Sequence, residues 1–251
     1  MKQKNKIRIY VANKLICGQE FTLSEDKSHY LCNVMRLPAG AFISCFNSQD
    51  GEFDSQIVNI NKKQTTVLPV AQIRQPAQEP DVWLLFAPLK KDRMDFLIEK
   101  AVELGVSKLV PVITEYSITD KIRLERLQAQ VIEASEQCER LSVPEVCPAV
   151  GLNAVIKEWD DSRCLFFMDE RGAGASIKQA FAQNQSDSIA IIIGPEGGFA
   201  SAEADMLYSK KYVIPVSLGP RILRAETAAV ASVALWQAIC GDWNQIKGDR
   251  K

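Results

Sequence analysis

Arg224 and Glu226 stand two residues apart in Ser217-Leu218-Gly219-Pro220-Arg221-Ile222-Leu223-Arg224-Ala225-Glu226-Thr227. A carboxylate can accept a proton, and a guanidinium can stabilise an anion that develops as the proton leaves. A structural ion pair fixing the loop is the plain alternative. A second stretch, Ile191-Ile192-Ile193-Gly194-Pro195-Glu196-Gly197-Gly198-Phe199, is an apolar run that stops at three glycines and a rigid proline. The run suits a buried parallel strand, and the glycines suit a turn that another molecule approaches closely. By itself this loop reads equally as a tight turn. Met168-Asp169-Glu170-Arg171-Gly172 follows a third apolar run in the same way.

Ligands of open α/β sheets bind outside the carboxyl ends of the strands, so three such loops converging there specify more than any one of them. Recognition by glycine and proline loops is recognition by main-chain groups. The chain has no Gly-x-Gly-x-x-Gly, no Gly-x-x-x-x-Gly-Lys-Ser/Thr and no Gly-x-Ser-x-Gly. These absences speak against a dinucleotide site, a P-loop and a nucleophile elbow. A backbone-built pocket without a phosphate cradle suits a nucleoside cofactor lacking phosphates, of which S-adenosylmethionine is the common one.

The elements that would hold these loops follow from the periodicity. Residues 1–72 read as β-rich, with strands near Ile7–Val11, Phe42–Phe46, Phe53–Ile60 and Thr65–Val70, and a hairpin turn at Asn47–Gly51. Ser24 is expected to cap a short helix reaching Met35. Several short strands with one helix predict a small barrel. Residues 73–80, with Pro76 and Pro80, read as a linker. From 81 to 245, strands alternate with helices, which predicts an α/β domain with a parallel sheet and helices on its faces. In the helix Asp92–Leu104 the expected apolar side is Phe96, Leu97, Ala101 and Leu104, with Gly105 as the stop. The spacing also predicts a helix over Leu124–Cys138 and another capped by Ser201. The last, Ala225–Cys240, is apolar almost all round, as a helix buried on more than one side should be.

With 251 residues and a net charge of −1, the chain allows a nucleic-acid partner only through a local basic patch. Seven cysteines, an odd number with no Cys-x-x-Cys and no signal-like segment, predict reduced thiols in a cytoplasm. One histidine, His29, disfavours His-based triads, and no metal site is expected. No apolar run reaches the roughly 18 residues of a membrane span.

Together, Gly194-Pro195-Glu196-Gly197-Gly198-Phe199 and Leu218-Gly219-Pro220-Arg221-Ile222-Leu223-Arg224-Ala225-Glu226-Thr227-Ala228 resemble the SPOUT-class methyltransferases. More narrowly they resemble the RsmE family of 16S rRNA uracil-N3 methyltransferases. Val34-Met35-Arg36, Lys91-Asp92-Arg93-Met94-Asp95, Glu99 to Val106, Glu133 to Cys138 and Arg140 to Pro144 support it over nearly the whole chain. The resemblance implies a PUA-like barrel that binds RNA, followed by an α/β domain with helices on both faces and a deep trefoil knot. It implies a homodimer that uses S-adenosylmethionine and acts on the uridine conventionally numbered 1498.

Carried onto this chain, the cofactor would be held by Met168, Gly194, Pro195, Glu196, Gly197, Gly198, Leu218, Gly219, Ile222, Leu223 and Thr227. Arg224 and Glu226 would be catalytic, and Arg8 and Arg36 would contact RNA. Lys2, Lys4, Lys6, Arg8 and Lys14 all precede the first acidic residue, Glu20, which makes the N-terminus basic. The chain departs from the family pattern at Asn33, at Ala41 and in the acidic first loop. Glu196 has two readings, one facing the cationic cofactor and one facing a neighbouring subunit. The competing functions are a SPOUT methyltransferase for another rRNA or tRNA position and a non-catalytic RNA-binding assembly factor.

Overall fold

The computed structural model describes residues 7–119, 121–172, 174–184, 186 and 188–244. Lys2, Lys4 and Lys6 lie outside the described residues. The chain divides into two compact units. One holds the chain up to Gln78 together with Ser135–Val143; the other holds Glu79–Ala134 and the chain from Pro144.

In the first unit, β1 (Arg8–Tyr10) and β2 (Phe21–Thr22) precede α1 (Glu25–His29) and a π-helical turn, Tyr30–Val34. Then come β3 (Phe42–Asn47), β4 (Gly51–Ile60) and β5 (Thr65–Arg74), so the last strand runs two residues into the expected linker. Ser24 occupies the N-cap position, but its side chain makes no capping hydrogen bond. The hairpin turn forms as its residues dictate. Asn47 Oδ1 accepts from the N–H groups of Gln49 and Asp50, and Gly51 adopts φ +88°. The sheet order is β1-β3-β4-β5-β2, with β1 parallel to β3 and the others antiparallel. Three register shifts along β4 and β5 curl the sheet around Ile9, Leu31, Ile43, Cys45, Ile57 and Val67. β1 and β2 are its two edges, and among the described residues no strand pairing joins them to close the predicted barrel.

The other face of this sheet carries a buried charge cluster. Arg8 donates from Nε and Nη2 to Glu52, from Nη1 to the carbonyls of Ser135 and Glu136, and from Nη2 to the carbonyl of Arg140. These bonds use every N–H of the guanidinium, which also lies 4.0 Å from the centroid of Phe46. Its side chain is only 8% exposed. The expected RNA contact at Arg8 is therefore corrected: the residue fastens Ser135–Val143, expected in the C-terminal domain, onto the first unit. Arg36 is exposed, at φ +51°.

The second unit opens with β6 (Asp81–Phe86), α2 (Lys91–Glu103), β7 (Lys108–Ile113) and α3 (Leu124–Gln137). Next are the short strands β8 (Glu145–Val146) and β9 (Val150–Gly151) with α4 (Leu152–Lys157), none of which the periodicity predicts. β10 (Cys164–Met168), β11 (Ala175–Ser176) and α5 (Ile177–Gln183) follow. The unit ends with β12 (Ser188–Ile193), α6 (Ser201–Tyr208), β13 (Val213–Ser217) and α7 (Ala225–Ile239). Every strand pair is parallel, and the order is β11-β13-β10-β12-β6-β7-β8 with β9 beside β7. Side chains alternate between the two faces. Leu85, Phe167 and Ile192 meet Leu152 and Ile156 of α4 and Ala204 and Leu207 of α6. On the opposite face Leu84 meets Leu97 and Ala101 of α2 and Ala229 and Val233 of α7, and Phe166 packs edge-on to Phe181 of α5 at 4.8 Å. Helices thus cover both faces.

Two local expectations are corrected. Phe96 points outward at 45% exposure, near Lys100, while Met94, Ile98 and Val102 complete the buried side of α2. Ser201 is the first residue of α6 and not its cap; Glu203 reaches back to accept from Ala200 N–H at 3.0 Å.

Glu52 gives a pH prediction. Burial pushes its carboxyl up, but hydrogen bonds from Arg8 and Ser44 and the charges of Arg8 and Arg74 outweigh that and hold it below its ordinary value of 4.5. A depressed carboxylate contributes stability above its unfolded value and loses it as pH falls through the folded one. Acid denaturation of wild type should therefore steepen below about pH 4.5. Glu52→Gln should destabilise the protein by about 3–5 kcal/mol at neutral pH, because Arg8 keeps a buried charge without its partner. Denaturant titrations against pH should show the variant with a flatter acid limb.

Candidate active site

The loops after β10, β12 and β13 close around one open pocket of about 670 Å³. The first contributes Met168, Asp169 and Glu170; the second Ile193, Gly194, Pro195, Glu196, Gly198 and Phe199. The third contributes Leu218, Gly219, Arg221, Ile222, Leu223 and, from α7, Ala225 and Ala228. Of the expected cofactor residues, Gly197 and Thr227 do not line it. Gly197 packs instead on Tyr116, which would stand 3.3 Å from a Cβ there. Thr227 is exposed on the first turn of α7.

The backbone of the second loop needs its glycines. Gly198 N–H donates to the Pro195 carbonyl at 2.9 Å and adopts φ +72°, and a Cβ at this position would strike the Glu170 carboxylate. A Cβ at Gly194 would meet the Phe199 ring at 2.6 Å. That ring packs edge-on to Phe167 at 5.1 Å, which anchors the far end of the loop to the core. In the first loop, Asp169 is 4% exposed; it accepts from the Tyr208 hydroxyl at 2.6 Å and from Arg171 N–H at 3.0 Å. Burial and the Asp169 hydrogen bond push the Tyr208 phenol up, so it stays protonated and donating.

Arg93, in the first turn of α2, was given no role by sequence reasoning, yet it ties the site together. It pairs with Glu196 of the second loop, and its Nε lies 3.7 Å from Glu226 of α7. Glu196 is thus held by Arg93 while it also lines the pocket, where the reading that it faces the cationic cofactor remains open to it. Arg224 is not the partner of Glu226. It occupies the N-cap position of α7, exposed, and makes no ion pair among the described residues. Glu226 is 12% exposed in its side chain, and its Oε2 is buried with no hydrogen-bond partner among the described residues. A buried carboxylate oxygen left unsatisfied is costly and marks a position held for something else.

The donor set fits a methyl-donor cofactor of nucleoside type. Apolar Met168, Ile193, Leu218 and Leu223 line the pocket, bare backbone is presented at Gly194 and Gly198, and Asp169, Glu170 and Glu196 suit a cationic ligand. Among the described residues there is no group of three or more His, Cys, Asp or Glu side chains that could hold a metal ion.

A family profile for an RNA methyltransferase domain matches residues 77–237, and one for an RNA methyltransferase PUA domain matches residues 23–70. The "Ribosomal RNA small subunit methyltransferase E" of Rickettsia conorii is 35% identical over 228 residues, covering 90% of this chain and 93% of that protein. The chain belongs to the ribosomal RNA small subunit methyltransferase E family. Two solved structures extend the likeness. A Legionella pneumophila protein described as a methyltransferase in complex with SAM is 31% identical with a TM-score of 0.86, covering 95% of this chain and 100% of its own. A family member from Neisseria gonorrhoeae, bound to S-adenosyl methionine, is 28% identical with a TM-score of 0.84, covering 96% of this chain and 100% of its own.

For this family member, Arg93 holds the loop rather than the core. Its ion pairs are partly exposed, so Arg93→Ala should cost no more than about 1 kcal/mol of global stability. Amide exchange at Gly197 and Gly198 should nevertheless accelerate severalfold, while amides of β12 stay protected. Exchange unchanged at both glycines would remove Arg93 from this role.

Proposed function

We propose that this protein transfers the methyl group of S-adenosylmethionine to N3 of a specific uridine in 16S rRNA, the one conventionally numbered 1498. The observation that carries this reading is the pocket itself. Loops from three parallel strands enclose an apolar, glycine-lined space with an acidic rim, and one arginine ties two of its elements to α2. When bound, S-adenosylmethionine supplies an electrophilic methyl group whose C–S bond breaks as the N3–C bond forms.

Uracil N3 carries a proton near neutral pH and attacks poorly until that proton leaves. Glu226, whose Oε2 lacks a partner among the described residues, is the proposed acceptor. Arg93, whose Nε lies 3.7 Å from Glu226, holds that carboxylate in place. Arg224, exposed at the α7 N-cap, is the proposed partner for negative charge spreading onto the uracil oxygens. The target base must leave its stack to reach such a pocket. Arg36, exposed on the first unit, is the remaining candidate there for a phosphate contact, since Arg8 is consumed inside.

We further infer that the active unit is a homodimer and that the α/β unit carries a trefoil knot. The apolar Ile222, 91% exposed on a pocket loop, and the exposed Leu235 and Trp243 support a covering partner. A bacterial cytoplasm is the proposed location. No helix among the described residues is long and apolar enough to cross a membrane.

The decisive measurement is mass mapping of methyl groups on small-subunit rRNA with and without the protein. A single added methyl on one uridine is expected; methylation elsewhere, or none, overturns the reading. Arg224→Ala and Glu226→Gln should each lower turnover by roughly 10²–10⁴-fold, the range for a lost proton-transfer or charge-stabilising group, with S-adenosylmethionine affinity nearly unchanged. Gly198→Ala should do the reverse. It forces a side chain into the left-handed region, at about 1–2 kcal/mol, and toward Glu170, so calorimetry should show cofactor affinity reduced about tenfold or more.

A further inference from the structure

The strongest unassigned feature lies beside the first turn of α2. Lys90, Lys91, Lys121, Arg123 and Arg126 line an open groove of about 870 Å³ whose floor is Leu89, Met94 and Leu127. No acidic side chain lines it among the described residues. Arg126 is spent on Asp95. The side chains of Lys90, Lys91, Lys121 and Arg123 are exposed and make no ion pair among the described residues. Two of these cations sit where they cost the most. Lys90 is the N-cap of α2, and its side chain makes no capping bond; Lys91 is the first helical residue. A helix start favours an acceptor and negative charge. Lysines there are locally unfavourable, as residues kept for a function are.

We propose that this groove holds the phosphodiester backbone of the RNA substrate. The proposal rests on the methyltransferase reading above and adds to it the strand-binding surface of the α/β unit. A row of cations that make no ion pair among the described residues, over an apolar floor, is complementary to a polyanion. The groove also adjoins the chemistry. Lys91 and Met94 face it, while Arg93, on the same turn of α2, pairs with Glu196 and Glu226 of the pocket loops. A strand seated in the groove would therefore lie against the same turn of α2 that carries Arg93, the residue beside Glu226.

The test is binding of the full chain to deproteinised 16S rRNA across a salt series, comparing wild type with the triple variant Lys91→Gln, Lys121→Gln, Arg123→Gln. Weaker binding is expected, with the slope of log affinity against log salt reduced by about two, since each lost phosphate contact removes about 0.7–0.9. Unchanged S-adenosylmethionine affinity checks that the variant is folded, and the charge-conserving Lys91→Arg, Lys121→Arg pair should keep the wild-type slope. A triple variant with wild-type affinity and slope overturns the proposal. So does one that binds naked rRNA normally but whole small subunits weakly, which would assign the groove to a ribosomal protein. A reduced slope in a protein whose wild type transfers no methyl group to rRNA would support the groove while ending the enzymatic reading.

Discussion

Burial of a parallel sheet on both faces is the constraint from which the rest of this molecule follows. Leu84 and Leu85 are neighbours in sequence, yet one is sealed by α2 and α7 and the other by the face that holds α4 and α6. Once both faces are sealed, only the strand ends remain open to solvent. Loops there are freed from packing and can be shaped by glycine and proline for a ligand. The pocket sits at the ends of β10, β12 and β13 because helices occupy the faces. Its walls combine apolar side chains such as Met168, Leu218 and Leu223 with the backbone of Gly194, Gly198 and Gly219.

That logic explains which features are legible in the chain of residues alone. The apolar run Ile191–Ile193 and the glycines after it are local statements about burial and φ, and sequence carries local information directly. The loop residues Gly194, Gly198, Leu218 and Gly219 fall in the pocket for that reason. Pairing between distant charges is not local, and the sequence does not carry it. Arg93 and Glu226 belong to segments at opposite ends of the α/β unit, and nothing in either segment names the other. The same holds for Glu196, whose partner lies on α2, and for α4, whose six residues are too few to show a period. A segment such as Ser135–Val143 changes units because of hydrogen bonds made with residues far upstream, Arg8, Tyr10 and Arg74.

Arg8 and Lys121 show how little a basic residue means until its surroundings are known. Arg8 stands in a basic N-terminal stretch, where charge alone suggests nucleic acid. Its neighbours, however, are Glu52, Phe46 and three carbonyls, and together they absorb every donor it has. A guanidinium so enclosed gives specificity to the packing of its unit and nothing to a phosphate. Lys121 sits in an ordinary stretch of sequence, but it is exposed, among other cations, and no described carboxylate lines the groove beside it. Composition counts both residues equally; only the second has charge left to offer.

The two charge environments around the first turn of α2 are opposite in sign, and the separation is functional. The cofactor pocket is lined by three carboxylates, Asp169, Glu170 and Glu196, against one cation, Arg221, a balance that favours a cationic sulfonium ligand. The groove presents lysines and an arginine, which favour the backbone and would repel the sulfonium. Arg93 stands between them, its charge taken up by Glu196 and Glu226. A strand drawn into the groove is thereby kept out of the cofactor's space except where one neutral base enters. Uracil carries no charge until its proton leaves, so the acidic rim admits it without penalty. In the proposed reaction the anion would form only after the base is in place, with Glu226 as the proposed proton acceptor and Arg224 as the proposed charge partner. Charge segregation of this kind orders the encounter, with phosphates held to one side of the turn and the base delivered to the other.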